Sequence, residues 1–161
     1  MQDLSKVVES VVREIVSEKK AKSDKMSLSL AQKLAEAVEK EALRIGVNAV
    51  VAVSNEGARP VLVHSMDDAY IASYDIALNK AYTVVALKMS TAKLKTLSQP
   101  ERDLYGIQFT NNGQIVIFGG GEPLTYNGKV IGGLGVSGGS EEQDTYLAAF
   151  GKEYFAKNLV K

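Results

Sequence analysis

The chain has 161 residues, of which 45% are hydrophobic and 24% are charged, a size and composition typical of one globular domain. Its 19 basic residues balance 19 acidic ones, so no net charge favours nucleic acid or an anionic membrane as a partner. The sequence contains no cysteine and a single histidine, His64, which excludes thiolate nucleophiles, cysteine-based metal centres and histidine-rich metal sites. No apolar run is long enough to cross a bilayer or to serve as a secretory signal. We therefore expect a cytoplasmic protein.

The first 20 residues predict an amphipathic helix. Its apolar residues recur at steps of three and one along one face: Leu4, Val7, Val8, Val11, Val12, Ile15 and Val16. A lysine-rich run without periodicity, Lys19–Lys25, follows and predicts a linker. The expected organisation is a docking helix at 1–20, a linker at 21–26 and a folded domain at 27–161. The apolar stripe has two interpretations: docking into a groove of a partner, or packing on the chain's own domain or oligomer.

Helices and a hairpin are predicted in the first part of the domain. Ser29 and Gln32 have capping-box spacing, and Gly46 is a suitable residue after a helix C-terminus. Asp67 and Asp68 suit the N-terminus of a long helix. The predicted elements are a helix at 30–45, strands at 49–53 and 60–64, helices at 69–87 and 91–97, and an irregular segment at 100–106.

Strands dominate the prediction for the second part. They are expected at 114–118, 124–126 and 129–136, with the glycine-rich run 119–123 as a break. Asn127-Gly128 predicts a tight hairpin, and Ser140 with Gln143 predicts a capping box on a last helix. This order predicts an α+β fold: a five-stranded, mostly antiparallel sheet covered by helices on one face, similar to PAS or profilin folds.

Several side chains are candidates for binding a cofactor. His64 could ligate a haem iron through an imidazole nitrogen, and Met66 would share its side if the strand continued. The alternatives are a merely hydrogen-bonded histidine and a core methionine. Asp67, Asp75 and Asn79 fall near one helical face and could either polarise a ligand or serve as caps and intersubunit contacts. Tyr105 could stack on a planar ligand or pack under the sheet.

The glycine clusters are the other candidate. Gly119, Gly120 and Gly121 would let a ligand or another backbone approach closely, and Gly138 precedes the last helix. We expect these glycines, together with Gly132, Gly133 and Gly139, to converge near the N-terminus of that helix, which could receive an anionic group. The alternative is a bulge between strands. Their spacing matches neither the dinucleotide fingerprint nor the P-loop, so a nucleotide is not predicted.

Ordered motifs give the chain a resemblance to a known family. They are Met66–Ala69 continuing to Asn79–Ala81, Leu104–Gly106, Ile117–Pro123 and Gly132–Gly138. Together they resemble the family that includes GlcG, the haem-binding protein HbpS and the C-terminal domain of PduO, over about residues 28–154. The segment Ser73–Ala81 is most similar to the PduO-type members.

The resemblance implies a homo-oligomer, with an octamer as one candidate, that binds haem or a related tetrapyrrole such as a corrinoid. The adenosyltransferase activity of PduO belongs to a separate N-terminal domain, for which the first 25 residues leave no room, so we do not expect it. Relatives often have arginine where this chain has Ser65, and losing a guanidinium removes a bidentate anchor for a carboxylate.

The N-terminal helix resembles those that target enzymes into bacterial microcompartments. This resemblance implies a location in the compartment lumen and a shell or cargo protein bound through residues 1–20. Our leading hypothesis is a non-catalytic, oligomeric tetrapyrrole-binding module of such a compartment. The alternatives are an interaction protein that acts through its helix, and an enzyme on a small hydroxy or oxo acid that depends on Asp75 or Lys80.

Overall fold

Five α-helices and one sheet make up the part of the chain described by the computed structural model, which covers residues 4–160, with the backbone alone for 15–23. The helices are α1 Leu4–Ser23, α2 Leu28–Arg44, α3 Ser73–Ala86, α4 Thr91–Leu97 and α5 Glu141–Tyr154. The strands are β1 Val50–Asn55, β2 Pro60–Ser65, β3 Gly121–Tyr126 and β4 Lys129–Ser137. None of the described helices is long and apolar enough to span a membrane.

The sheet is antiparallel throughout, in the order β2-β1-β4-β3. The predicted α+β class is therefore confirmed, with four strands between residues 4 and 160 instead of five. Helices cover both faces, so the prediction of one covered face is wrong. Val51 and Val53 of β1 join the core with α2 and α5, whereas Val50 and Ala52 pack with α3 on the opposite face. Alternate residues of a strand point to opposite faces, so a strand buried on both sides needs a cover on each.

Two glycines of β4 allow α3 to lie directly on the sheet. A Cβ on Gly133 would come within 2.4 Å of the Ala81 carbonyl oxygen, and one on Gly135 within 2.0 Å of the Ala77 carbonyl oxygen. Ser54, on the neighbouring strand, donates its hydroxyl to the same Ala81 oxygen at 2.9 Å. The helix backbone thus takes the space that side chains of β4 would fill.

The predicted strand at 114–118 is not a strand. This region contains short 3₁₀ turns, Ile107–Phe109 and Asn111–Gly113, followed by an irregular segment. The Thr83 hydroxyl on α3 accepts from the amide of Val116 at 3.0 Å, and its one hydrogen is shared between the carbonyls of Asn79 at 2.7 Å and Gln114 at 3.2 Å. A side chain of α3 therefore takes the backbone bonds that a strand would make. The predicted break at 119–123 is also wrong in part, because β3 begins at Gly121.

The boundaries of three helices differ from prediction. Helix α1 continues to Ser23, through the first half of the linker expected at 21–26, and Met1, Gln2 and Asp3 lie outside the described residues. The cap of α2 is Ser27, whose hydroxyl accepts from the Leu30 amide at 3.2 Å, not Ser29. Helix α3 begins at Ser73 rather than near 69, because the chain turns through Asp68, whose φ is +61°.

The local signals of the C-terminal half are confirmed. Asn127 and Gly128 both have positive φ and close the hairpin between β3 and β4, as a tight hairpin turn requires. Ser140 and Gln143 form the predicted capping box on α5. Helix α4 spans the predicted Thr91–Leu97. The division of the chain into a docking helix, a linker and a domain stays a prediction.

Candidate functional site

His64 lies on the edge strand β2 with one ring nitrogen already engaged. It pairs with Val51 in the sheet and so faces α2, where its Nδ1 lies 2.6 Å from Oε1 of Glu39. The carboxylate favours a proton on Nδ1, which leaves the Nε2 lone pair for a metal. Carboxylate support of this kind is the common second contact of metal-binding histidines. The His64 side chain is 39% exposed, so part of the imidazole ring faces solvent.

A small hollow surrounds this histidine. Its volume is about 260 Å³, and its lining residues are Glu39, Val63, His64, Ser65 and Met66. Met66 therefore lies beside His64, as predicted, but its sulfur accepts a hydrogen bond from the Ala49 amide at 3.3 Å. Because its sulfur is engaged and its side chain packs on the α2-face core, Met66 fits the core interpretation better than that of a second iron ligand.

Gly119, Gly120 and Gly138 lie close to the start of α5, as predicted, but Gly132 and Gly133 do not join them and instead face Met26 and Ala81. Hollows of about 440 and 300 Å³ adjoin Gly138, whereas protein atoms contact the Cβ side of each glycine in the group. A Cβ on Gly119 would lie 1.9 Å from the Thr145 hydroxyl, one on Gly120 2.6 Å from Nζ of Lys80, and one on Gly121 2.8 Å from Cγ2 of Thr91. One on Gly138 would lie 2.4 Å from a backbone oxygen of residue 48. The close approach that these glycines permit is therefore an approach of the protein to itself.

The burial of Lys80 and its pairing with Asp144 are the main features that sequence reasoning missed. It is fully buried, and its Nζ donates to the Val136 carbonyl at 2.7 Å and to Oδ2 of Asp144 at 3.0 Å. The ring centroid of Phe118 lies 4.9 Å from the same nitrogen. Burial lowers the pKa of Lys80, although the charge of Asp144 opposes this effect. Lys80 therefore pairs with Asp144, and Asp75, the other residue named for an enzyme, is not its partner.

Asp144 shares the burial of Lys80. Burial raises the pKa of its carboxyl, against the opposing effects of Lys80 and of the Gly139 amide, which donates to Oδ1 at 2.9 Å. Lys80 comes from α3 and Asp144 from α5, so the pair ties helices on the two faces of the sheet. The two residues are 64 positions apart, and no local pattern in the sequence signals their contact.

The N-terminus of α5 is occupied by the chain's own carboxylates. The Gly139 amide donates to Asp144, and the Gly119 amide donates to Oε1 of Glu141 at 3.0 Å. The Gly119 amide, followed by Lys95, lowers the pKa of Glu141. The amides of Gly139, Ser140 and Gln143 donate to protein oxygens, and three acidic residues line the first turn. The first turn therefore disfavours an anion, and the expected anion site stays a prediction.

The remaining predicted site residues do not join His64. Asp75 and Asn79 lie one turn apart on α3, which covers the opposite face of the sheet. Asp67 is exposed in the turn after β2, and Tyr105 is 65% exposed in the segment after α4. Among the side chains that the structure describes, those of residues 4–14 and 24–160, no group of three or more acidic or histidine side chains could hold a metal ion. The candidate site therefore consists of His64 and Glu39, and the other predicted site residues lie elsewhere in the fold.

Comparison with known proteins gives the chain close relatives. It is 48% identical over 132 residues to an uncharacterized 15.0 kDa protein encoded between dhaT and dhaS in Citrobacter freundii, covering 82% of this chain and 93% of that protein. It is 38% identical over 125 residues to the corrinoid adenosyltransferase PduO of the same organism. That match covers 76% of this chain but 37% of PduO, so the chain corresponds to about a third of that enzyme.

Solved structures share the fold. A complex of PduOC with haem has a TM-score of 0.77 at 36% identity, covering 80% of this chain and 94% of that one. A double mutant of HbpS from Streptomyces reticuli has a TM-score of 0.71 at 26% identity, covering 80% and 86%. A family model described as haem degrading protein HbpS-like matches residues 26–153. The chain belongs to this HbpS-like family.

Proposed function

We propose that this chain is a non-catalytic haem-binding module in which His64 supplies the iron ligand. The observation that carries the proposal is the 2.6 Å contact between Nδ1 of His64 and Glu39, which orients the imidazole and leaves Nε2 for a metal. The haem complex of PduOC and the fold shared with HbpS support haem as the ligand. Bound haem would supply an iron whose affinity and potential depend on this axial ligand.

The hollow beside His64 fits only part of a tetrapyrrole. Its 260 Å³ is below the roughly 300–1,000 Å³ typical of small-molecule pockets. β2 is an edge strand, so a planar ligand would extend beyond it, where a second copy of the chain would cover the exposed part. We therefore propose a homo-oligomer. Light scattering checks it: an octamer has eight times the 17.3 kDa chain mass, and a monomer at all concentrations argues against any oligomer.

Titration with haemin and with cobalamin tests the choice of ligand. Each is added to micromolar purified protein while the absorption spectrum is recorded. A saturable change with haemin at a fixed stoichiometry is the expected result, and a change with cobalamin alone would assign a corrinoid instead. If neither compound changes the spectrum, the proposal is wrong.

A separate assay tests the proposal that the chain is non-catalytic. The haem-loaded protein is incubated with ascorbate in air, and the haem absorption is followed over time. We expect the spectrum to persist at the rate of loss seen for haem bound to serum albumin. A protein-dependent loss of the haem band would show that the chain degrades its ligand.

A second function is supported by α1. The side chains of Leu4, Val7, Val8, Val11 and Val12 are between 46% and 77% exposed, and amphipathic helices with such a stripe dock in grooves of partner proteins. We propose that α1 binds a shell or cargo protein in the lumen of a bacterial microcompartment. A fluorescent protein fused to residues 1–25 should enter the compartments, whereas the same fusion carrying Val8→Asp and Val12→Asp should stay outside. Equal distribution of the two fusions would contradict the proposal.

A further inference from the structure

An unfilled groove runs between α2 and α5, on the side of α2 away from His64. Its volume is about 780 Å³. Its lining consists of Ala37, Leu43, Phe150 and Tyr154 together with the charged residues Lys33, Glu36, Lys40, Glu41 and Arg44. The Leu43 side chain is 64% exposed. This leucine lies beside the stacked rings of Phe150 and Tyr154, whose centroids are 6.2 Å apart. Burying this apolar surface would be energetically favourable.

The groove has a fixed shape at one end. Glu41 of α2 accepts from Arg44 at 2.6 Å and also from the hydroxyl of Tyr146 on α5. Arg44, followed by Tyr146, lowers the pKa of Glu41 to about 2. Glu41 is therefore ionised throughout the neutral range. The two helices are thus held at a set spacing before anything occupies the groove.

The apolar stripe of α1 has the length and position to occupy this groove. Four residues, 24–27, separate α1 from α2, within the two to five residues that join antiparallel helices. Met26 in this connection is buried in the core, so the connection is anchored to the domain at this residue. In an antiparallel pair with residue 23 opposite residue 28, each residue earlier in α1 faces a residue correspondingly later in α2. Val11 then faces Lys40, and Val8 faces Leu43.

We propose that α1 folds back on its own chain as an antiparallel hairpin with α2 and seats its apolar stripe in the α2–α5 groove. Val8, Val11 and Val12 of the stripe then lie at the height of residues 39–43, within the groove, because both helices rise about 1.5 Å per residue. A short connection gives α1 a high effective concentration at this groove. An external partner of α1 must therefore displace this contact.

The experiment uses cysteine pairs, since the chain has no cysteine of its own. The variant Val8→Cys with Leu43→Cys places both thiols at the proposed contact. The matched control, Ser10→Cys with Leu43→Cys, moves the α1 thiol to the polar face of the helix. Both changed positions of each pair are exposed, so the fold should survive. The proteins are oxidised with glutathione disulfide at 1 µM, which favours intrachain products, and are analysed by non-reducing electrophoresis and peptide mapping.

The expected result is an intrachain disulfide that forms at least tenfold faster in the Val8 pair than in the Ser10 pair. Equal rates, or no disulfide in either, would overturn the proposal. A disulfide-linked dimer from the Val8 pair would also overturn it, because α1 would then occupy the groove of a second copy. Amide hydrogen exchange gives a readout without cysteine: residues 4–14 should be protected in the wild type and should lose protection with Val8→Asp and Val12→Asp.

Discussion

The glycine end of the domain and the edge strand β2 differ in how fully their polar groups are used. At the glycine end, Lys80 has Val136 and Asp144 as acceptors and Phe118 beside it, and the first-turn carboxylates of α5 take nearby amides. At β2, His64 has a partner on one ring nitrogen and stays partly exposed. A ligand needs unused donors or lone pairs. The edge strand β2 is therefore the better candidate for the ligand site.

This difference changes how glycine clusters should be interpreted. Glycine permits close approach, but the approaching group can be protein as well as ligand. Gly120 leaves room for the ammonium of Lys80, and Gly135 leaves room for the backbone of α3. The glycine-rich second half of the sequence therefore indicates tight helix–sheet packing.

Replacing Lys80 by methionine should have the largest effect on stability. It leaves Asp144 buried without its cation, which typically costs about 3–5 kcal/mol of unfolding free energy. Urea denaturation at pH 7 measures the loss. The control is the double variant Lys80→Met with Asp144→Leu, which should recover much of the stability because no unpaired charge remains. A single variant as stable as the wild type would show that the Lys80–Asp144 pair does not stabilise the glycine end.

Replacing Gly135 by alanine tests the packing beside that pair. The added Cβ would lie 2.0 Å from the Ala77 carbonyl oxygen, so α3 must shift, at a cost of roughly 1–3 kcal/mol. Gly57→Ala is the matched control, because its nearest neighbour is a side-chain oxygen of residue 55 at 3.4 Å. Thermal or urea unfolding should separate the two variants clearly. Equal stability of the two would show that α3 adjusts without cost.

Local signals in the sequence predicted the parts of the fold that neighbouring residues determine. The Asn127-Gly128 hairpin, the Ser140 cap and α4 depend on residues within a few positions of one another. The strand expected at 114–118 failed because Thr83, more than 30 positions earlier, binds its backbone.

The same limit applies to the candidate site. His64 could be selected from the sequence because it is the sole histidine. Its partner Glu39 lies 25 positions away on another element, and Lys80 and Asp144 are further apart still. Such pairs depend on how α2, α3 and α5 pack on the sheet, which periodicity does not specify.

Ser65→Arg should strengthen haem binding at the open edge. Ser65 lines the hollow beside His64, and a guanidinium there could bind a propionate through charge-assisted hydrogen bonds. We expect the Kd for haemin to fall by roughly tenfold, which corresponds to about 1.4 kcal/mol. Ser65→Met adds a side chain of similar reach without charge and should not produce this gain. If both variants behave alike, propionate binding at this position is ruled out.

Glu41→Gln should have the smallest effect, because the contacts of Glu41 with Arg44 and Tyr146 lie at the surface. The folded-state pKa of Glu41 is lowered from 4.5 to about 2. Its contribution is therefore present above pH 4.5 and is lost as the pH falls towards 2. We expect a loss below about 1 kcal/mol at pH 7. Urea unfolding at pH 7, 4 and 2.5 should show the two proteins converging in acid, and a constant difference would refute this assignment.

The most direct test of the central claim compares one variant from each region in a haemin titration. His64→Ala removes the proposed iron ligand at β2, and Phe118→Ala opens the half-exposed wall of the glycine end. The account predicts that His64→Ala weakens binding at least tenfold and alters the absorption spectrum, while Phe118→Ala binds like the wild type. Unchanged binding by His64→Ala together with loss in Phe118→Ala would place the ligand at the glycine end and contradict the account.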